Sequence, residues 1–337
     1  MDTAAFDSVE QVIVLPRNGY INRLQAMASS AILANHIGAN FGVLWESDSV
    51  APAPIESIFT ANSLPQGSFM ELGELSEILP FRIDEFPRYV TYCESSLGGR
   101  VVTLAGHDRG EQPLMDEFSQ VVKDLQPKIL VIAAGGRFSI DAGSQSVTWD
   151  SPNFRALRAS WYEGVKFVAE IESNWPELLG QPTLGLHLRY SDRSHQTPSR
   201  GEISKAVRNL VERTGVNRVF VASDSARERE RWLSVLRGNG LDAWSYSHNL
   251  DSTTKLISGA VAAMIDWRIL SQTVGSVFFQ ASSYGYEASV ASGNFENSFG
   301  LSPNKLVSLR VGVSNHVKNI AGAPKRRGWI PQGRKPS

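Results

Sequence analysis

Leu184-Gly185-Leu186-His187-Leu188-Arg189-Tyr190-Ser191-Asp192 is the stretch that decides the fold. An apolar run ends abruptly in a His, an Arg and an Asp, arranged as His-x-Arg-x-x-Asp. A short apolar run is how a strand buried in a parallel sheet reads, and open α/β sheets bind ligands at the carboxyl ends of their strands. His187 and Arg189 therefore stand at a candidate ligand edge. Arginine offers a permanently charged, forked donor suited to phosphate oxygens, while His and Asp can orient it or contact a base or sugar. A strand-end ion pair between Arg189 and Asp192 is the competing reading, and the motif alone weighs the two equally.

Outward from that strand, the second half repeats one rhythm. Apolar periodicity predicts helices over 202–214, 226–237, 253–273 and 284–291, alternating with strands over 218–222, 243–246 and 276–279. Such alternation implies a parallel sheet with helices on both faces. The first half opens in the same way, with a strand over 11–15, the loop Pro16-Arg17-Asn18-Gly19-Tyr20, a helix over 21–37 and a strand over 41–45. Leu24, Met27, Ala28, Ala31 and Ile32 share one helical face. From Ser49 to Ser119, Pro52, Pro54, Pro65, Pro80 and Pro87 break the pattern, and long loops with small elements are expected. A buried strand over 128–134 follows, and a helix is predicted over 153–175 before Pro176 and Gly180 mark a boundary. The expected architecture is two α/β domains, 1–175 and 176–315, facing each other across a cleft, with a basic tail over 316–337.

The bulk numbers exclude several classes. With 337 residues, 33 basic and 34 acidic, the net charge is −1, so no global field recruits nucleic acid or an anionic membrane. Any anion site must be local. The single cysteine, Cys93, excludes an intrachain disulfide framework and a multi-cysteine metal cage, and a cytoplasmic protein is the simplest reading. The start Met1-Asp2-Thr3-Ala4-Ala5-Phe6-Asp7 has no secretory pattern, no apolar run approaches ~20 residues, and no membrane insertion is expected. The tail carries Lys325, Arg326, Arg327, Arg334 and Lys335; it reads as solvated, or as docking on an acidic partner.

Three further pieces could carry chemistry. Gly19-Tyr20-Ile21-Asn22-Arg23 opens a helix, where free backbone N–H groups attract anions and Asn22 and Arg23 add donors; a turn with an ordinary cap is the alternative. Ser282 and Ser283 follow a strand and open a helix, either to hold a phosphate jointly with the helix N–H groups or as plain caps. Asp266 could accept two N–H bonds from a guanine edge or simply be exposed, and Ala222-Ser223-Asp224-Ser225 ends a strand on the same sheet edge. A phosphate loop of the Gly-x-x-x-x-Gly-Lys type, Gly-x-Gly-x-x-Gly, Gly-x-Ser-x-Gly, His-Glu-x-x-His and Asp-x-Asp are all missing, which argues against metal-bridged phosphate chemistry.

In this order, Gly19 to Leu24, His187 to Asp192, Ala222 to Asp224 and Asp266 to Ala288 resemble the fucosyltransferase superfamily of the α-1,6-, α-1,2- and protein O-fucosyltransferases. The resemblance implies a GT-B fold of two Rossmann-type domains and inverting, metal-independent transfer from GDP-fucose, with no cofactor beyond that donor. It places the acceptor side in 1–175 and the nucleotide-sugar side in 176–315. By position it gives Arg189 the β-phosphate, His187 and Asp266 the guanosine, and Ser282 and Ser283 the diphosphate. Gly19 and Asn22 would approach from the other domain, and Asp224 and Asp192 would orient the binding groups. Two departures stand out: Tyr190 occupies the place of a second Arg in the α-1,6 enzymes, and the stretch after the motif offers only His195 as a base, with Glu46 and Asp48 as equal contenders. The implied partners are a nucleotide-sugar donor and a carbohydrate or glycosylated small-molecule acceptor, the latter met by the region 50–119 and its aromatics Phe81, Phe86 and Tyr89 if these are not core. The alternatives are an inactive nucleotide-sugar or glycan binding protein of the same fold, and an unrelated α/β protein.

Overall fold

The run Gln-Val-Ile-Val-Leu-Pro forms the first strand, β1 (Gln11–Pro16), buried from Val12 onward. The computed structural model describes residues 6–70, 92–96, 101–106, 122–138, 151–172, 180–190, 197–246 and 255–302, with the backbone alone for 92–96, 101–106 and 255–258. Helix α1 (Tyr20–Ile37) is Ala-rich and ends at Gly38, whose φ of 72° is the left-handed cap that glycine adopts freely. β2 (Asn40–Leu44), β3 (Gly67–Met70), β4 (Tyr92–Ser96), β5 (Val101–Gly106) and β6 (Ile129–Ala134) complete a six-stranded sheet in the order β3-β2-β1-β6-β5-β4. Three of its strands thus lie in the proline-broken region expected to hold only small elements. β4 departs from the parallel expectation, since it runs antiparallel to β5 at the sheet edge.

The predicted helix over 153–175 divides into α2 (Pro152–Gly164) and the short α3 (Ala169–Glu172). Between them the backbone of Lys166 and Val168 bonds to Ser63 and Ile58, so this stretch satisfies its N–H groups across the loop. Gly164 allows the turn, because a Cβ there would lie 2.6 Å from Pro65.

The second half follows the predicted rhythm: β7 (Leu184–Leu188), α4 (Arg200–Thr214), β8 (Arg218–Ser223), α5 (Ala226–Gly238), β9 (Asp242–Trp244), α6 (Lys255–Leu270), β10 (Ser276–Phe279), α7 (Ser283–Ala291) and β11 (Phe299–Leu301). Its five strands are all parallel, in the order β11-β10-β7-β8-β9. Serines start the helices: Ser199 and Glu202 form a capping box on α4, and Ser225 caps α5. The basic tail lies outside the described residues.

Alternation along the strands sorts the second sheet into two faces. Leu184, Leu186, Leu188, Val219 and Val221 pack with Ile203, Val207, Leu210, Trp232 and Leu236 beneath α4 and α5. Phe220, Ala222 and Phe278 belong to the other face and join a core continuous with α6, α7, α1, α2 and the first sheet. Gly185 and His187 alternate onto that second face, and His187 registers beside Ala222. A Cβ on Gly185 would lie 2.8 Å from Leu270, so the glycine permits the close seat of α6.

Candidate functional site

A cavity of ≈ 430 Å³ opens at the carboxyl ends of β7 and β8. Its walls come from three sources. The strand ends contribute His187, Arg189, Ala222, Ser223 and Asp224; α6 contributes Gly259, Ala262, Ala263 and Asp266; Arg229 and Tyr284 close it. Gly259, Ala262, Ala263 and Asp266 recur at intervals of three and four and so share one helical face. Three small residues leave the space, and a carboxylate stands beyond them.

His187 is 6% exposed and stacks on Tyr284, with ring centroids 4.7 Å apart and planes at 22°. The Tyr284 hydroxyl donates to the carbonyl of Ala263, tying α7 to α6. Gly285 lets α7 press on the imidazole, since a Cβ would meet Phe278 at 2.5 Å and His187 Nδ1 at 2.9 Å. Burial, and then the nearby Arg189 charge, pull the His187 pKa down to about 3, with Asp224 opposing. The ring is therefore neutral at physiological pH. Its buried Nδ1 has no hydrogen-bond partner.

Asp224 Oδ1 accepts from the Tyr190 backbone N–H at 2.8 Å, which fixes the chain immediately after Arg189. The Tyr190 ring in turn accepts at its hydroxyl from Trp232 Nε1 at 3.3 Å and, half-buried, packs against the core beneath α4 and α5. Asp266 is 9% exposed. Burial first and the Asp266 charge second raise the phenol pKa of Tyr284 well above its ordinary value.

The other candidates are not among the lining residues, although Ser282 and Ser283 directly precede Tyr284. Ser282 caps α7 from the end of β10, the strand beside β7; its hydroxyl is buried without a partner and makes no bond to the helix, and Ser283 is the first helical residue. Gly19 caps α1, with open space where a Cβ would point, and Asn22 lies half-buried in the first turn. None of these four lines the cavity. His195 and Asp192 lie outside the described residues, as do Phe81, Phe86 and Tyr89.

The expectation that Arg23 adds a donor to an anion site at α1 is corrected. Its guanidinium is fully buried, bonded to the carbonyls of Asn18 and Glu46, paired with Asp48 at 3.1 Å and stacked over Trp45 at 4.7 Å. Burial lowers its pKa, and Asp48 opposes that shift. Asp48, a contender for the base, also accepts from the N–H groups of Val50 and Ala51, both at 2.8 Å, and so organises the loop. Glu46 is ion-paired with Arg17.

Two features escaped the sequence. Arg229 sits in an Arg-Glu alternation, Arg227-Glu228-Arg229-Glu230-Arg231, that reads as a solvated helix face. Glu287, within α7, is fully buried and accepts from Gln25 Nε2 of α1 at 2.9 Å, Tyr162 Oη of α2 at 2.8 Å and Arg158 Nε of α2 at 3.2 Å. Burial works against the Arg158 charge, but Glu287 and two tyrosines outweigh it and raise the pKa. This carboxylate fastens the helix behind Ser283 to the first half. Among the described residues no three His, Cys, Asp or Glu side chains gather as a metal-holding group, and no helix is long and apolar enough to cross a membrane.

No family model and no curated sequence matches the chain. Solved structures do. The NodZ α-1,6-fucosyltransferase of Bradyrhizobium, in crystals soaked with GDP-fucose, superposes with a TM-score of 0.51 at 15% identity over 84% of this chain and 92% of that one. A mutant of Arabidopsis thaliana FUT1 in complex with GDP gives 0.52 at 13% identity, over 86% and 72%. POFUT1 in complex with GDP gives 0.50 at 10% identity, over 87% and 99%. At such identities the likeness is one of fold: the chain has the two-sheet, GT-B-like architecture of these fucosyltransferase structures.

Proposed function

We propose that this chain is a glycosyltransferase that moves fucose from GDP-fucose to a hydroxyl of a saccharide or glycosylated small molecule, inverting the anomeric centre without a metal. The observation that carries the reading is that His187, Arg189, Asp224 and Asp266, selected from three separate stretches of sequence, line one cavity at the carboxyl ends of the parallel strands. The fold it shares with structures solved in complex with GDP or soaked with GDP-fucose supports the choice of donor.

Glycosyl transfer develops positive charge on the sugar and negative charge on the departing diphosphate. In this proposal Arg189 binds the diphosphate as charge builds, and the α7 N-terminus with Ser282 and Ser283 assists it, so stabilisation is greater in the transition state than in the ground state. The neutral His187, whose Nδ1 is covered by α7, offers its other ring nitrogen to the guanosine, and Asp266 accepts from the guanine N1–H and amino group. Asp224 keeps the Arg189 segment in place. Gly19 and Asn22 approach from the first half, and His195 takes the acceptor proton. The lone cysteine supports a reducing, cytoplasmic setting.

Titration calorimetry with GDP, UDP and dTDP in chelator, on the native chain and on Arg189→Ala, tests the donor assignment; GDP release from GDP-fucose tests transfer. GDP should bind selectively, and the variant should lose on the order of a hundredfold in rate. Equal binding of all three nucleotides, or GDP binding with no turnover against any glycan acceptor, would overturn the corresponding half of the reading.

A further inference from the structure

Arg229 is the one residue of α5 that lines the cavity. It lies in the first turn of α5, where its positive charge is unfavourably aligned with the helix dipole. Its own-helix neighbour Glu228 pairs with Arg231 at 3.7 Å, and the Arg229 Nε is buried with no hydrogen-bond partner. A guanidinium kept at a cavity wall on those terms points to a ligand atom as its partner.

Strand order says which part of a ligand that is. Ser282 and Ser283 follow β10, Arg189 follows β7, and Arg229 follows β8, the strand on the far side of β7 from β10. For a nucleotide with its diphosphate between β10 and β7, the cavity offers room for the base on the β8 side. There the small-residue face of α6, Gly259, Ala262 and Ala263, leaves room for a flat ring. Asp266 stands on α6 and Arg229 on α5, so carboxylate and guanidinium line the cavity from different elements.

We infer that Arg229 is a specificity-determining residue that donates its fork to the O6 and N7 acceptors of a guanine base, while Asp266 takes the N1–H and amino donors of the adjoining edge. The inference rests on the donor reading above. Guanine alone among the common bases presents two donors on one edge and two acceptors on the next, and Arg on O6 and N7 is the favoured bidentate match. Adenine would point an amino group at Arg229, and uracil would leave the fork unfilled.

Calorimetry with GDP, 7-deaza-GDP, which lacks the N7 acceptor, and UDP decides it, using the native chain, Arg229→Ala and Arg229→Lys, with circular dichroism to confirm that each variant is folded. GDP should bind the native chain about tenfold or more tightly than 7-deaza-GDP, and both variants should lose most of that preference, since lysine keeps the charge but not the fork. Equal weakening of GDP, 7-deaza-GDP and UDP by Arg229→Ala would place the guanidinium on the diphosphate and overturn the inference, and so would unchanged GDP affinity. If the native chain binds UDP as well as GDP, or binds neither, the donor reading itself fails, and the inference falls with it.

Discussion

Replacing Glu287 by Gln tests how the two halves of the molecule are joined. Glu287 and Arg158 are both fully buried, and the carboxylate accepts from Arg158, Tyr162 and Gln25, with the Arg137 guanidinium 4.0 Å away. The amide keeps one acceptor oxygen, but its NH2 can no longer accept from Arg158, Tyr162 or Gln25, at about 1 kcal/mol for each hydrogen bond lost. It also leaves the Arg158 charge buried opposite a neutral partner, and breaking a buried pair in this way costs about 3–5 kcal/mol. Urea unfolding followed by far-ultraviolet circular dichroism should show a midpoint lowered by 1 M or more, taking a slope of about 3 kcal/mol/M. Arg158→Met should rescue part of the loss, because it removes the stranded charge, and the double-mutant coupling should reach about 2 kcal/mol. A cost below about 1 kcal/mol, or strict additivity of the two changes, would refute the claim that this ion pair fastens α7 to α2. GDP affinity should fall with the first change, since Glu287 lies one helical turn from Ser283.

Acidification should destabilise the chain through His187. Its folded pKa of about 3 lies below the unfolded value of about 6.5, so the unfolded state binds the extra proton between these limits, and stability falls by about 1.4 kcal/mol per pH unit as pH drops from 6.5 toward 3. His187→Gln should flatten that slope in urea titrations repeated across the range, and an unchanged slope would show that the imidazole titrates normally. Gly285→Ala should cost about 1–3 kcal/mol by forcing α7 off Phe278 and His187, and weaken GDP binding with it; a fully stable variant would show that the helix can move freely. Gly259→Leu should separate stability from function: the added side chain meets open space and replaces a glycine inside a helix, so stability should hold or rise by up to about 1 kcal/mol, while GDP binding is lost as the cavity fills. Intact GDP binding in that variant would exclude the space beside α6 as the base site.

Much of the architecture was legible because β1, β6, β7, β8 and β10 are buried on both faces. Such strands need unbroken apolar runs, and the capping serines mark where the intervening helices start. The strands of the region 50–119 were less legible, because β3 and β4 are short and Pro80 and Pro87 interrupt the chain between them, while β4, Tyr92–Ser96, carries mostly polar residues; a Gly98-Gly99 pair joins β4 to β5. The helix break after Gly164 was hidden for another reason. Val165 to Val168 carry an apolar pattern that suits a helix, and only their pairing with the loop of Ile58 to Ser63 pulls them straight.

By itself, the sequence determined the two α/β halves and drew attention to His187, Arg189, Asp224 and Asp266, because residues at the carboxyl end of a buried strand or on a helix beside it have a local pattern to announce them. Tertiary structure decided which of the charged residues serve a cavity and which serve the frame. Arg23, beside the α1 loop, is enclosed by Asn18, Glu46 and Asp48, whereas Arg229, drawn from an unremarked run of alternating charge, reaches the cavity wall. Glu287 became the anchor between halves only when α1 and α2 brought Gln25, Arg158 and Tyr162 to it from more than 120 residues away in the chain. The partner of a charge is set by distance in space, and a sequence records only distance along the chain.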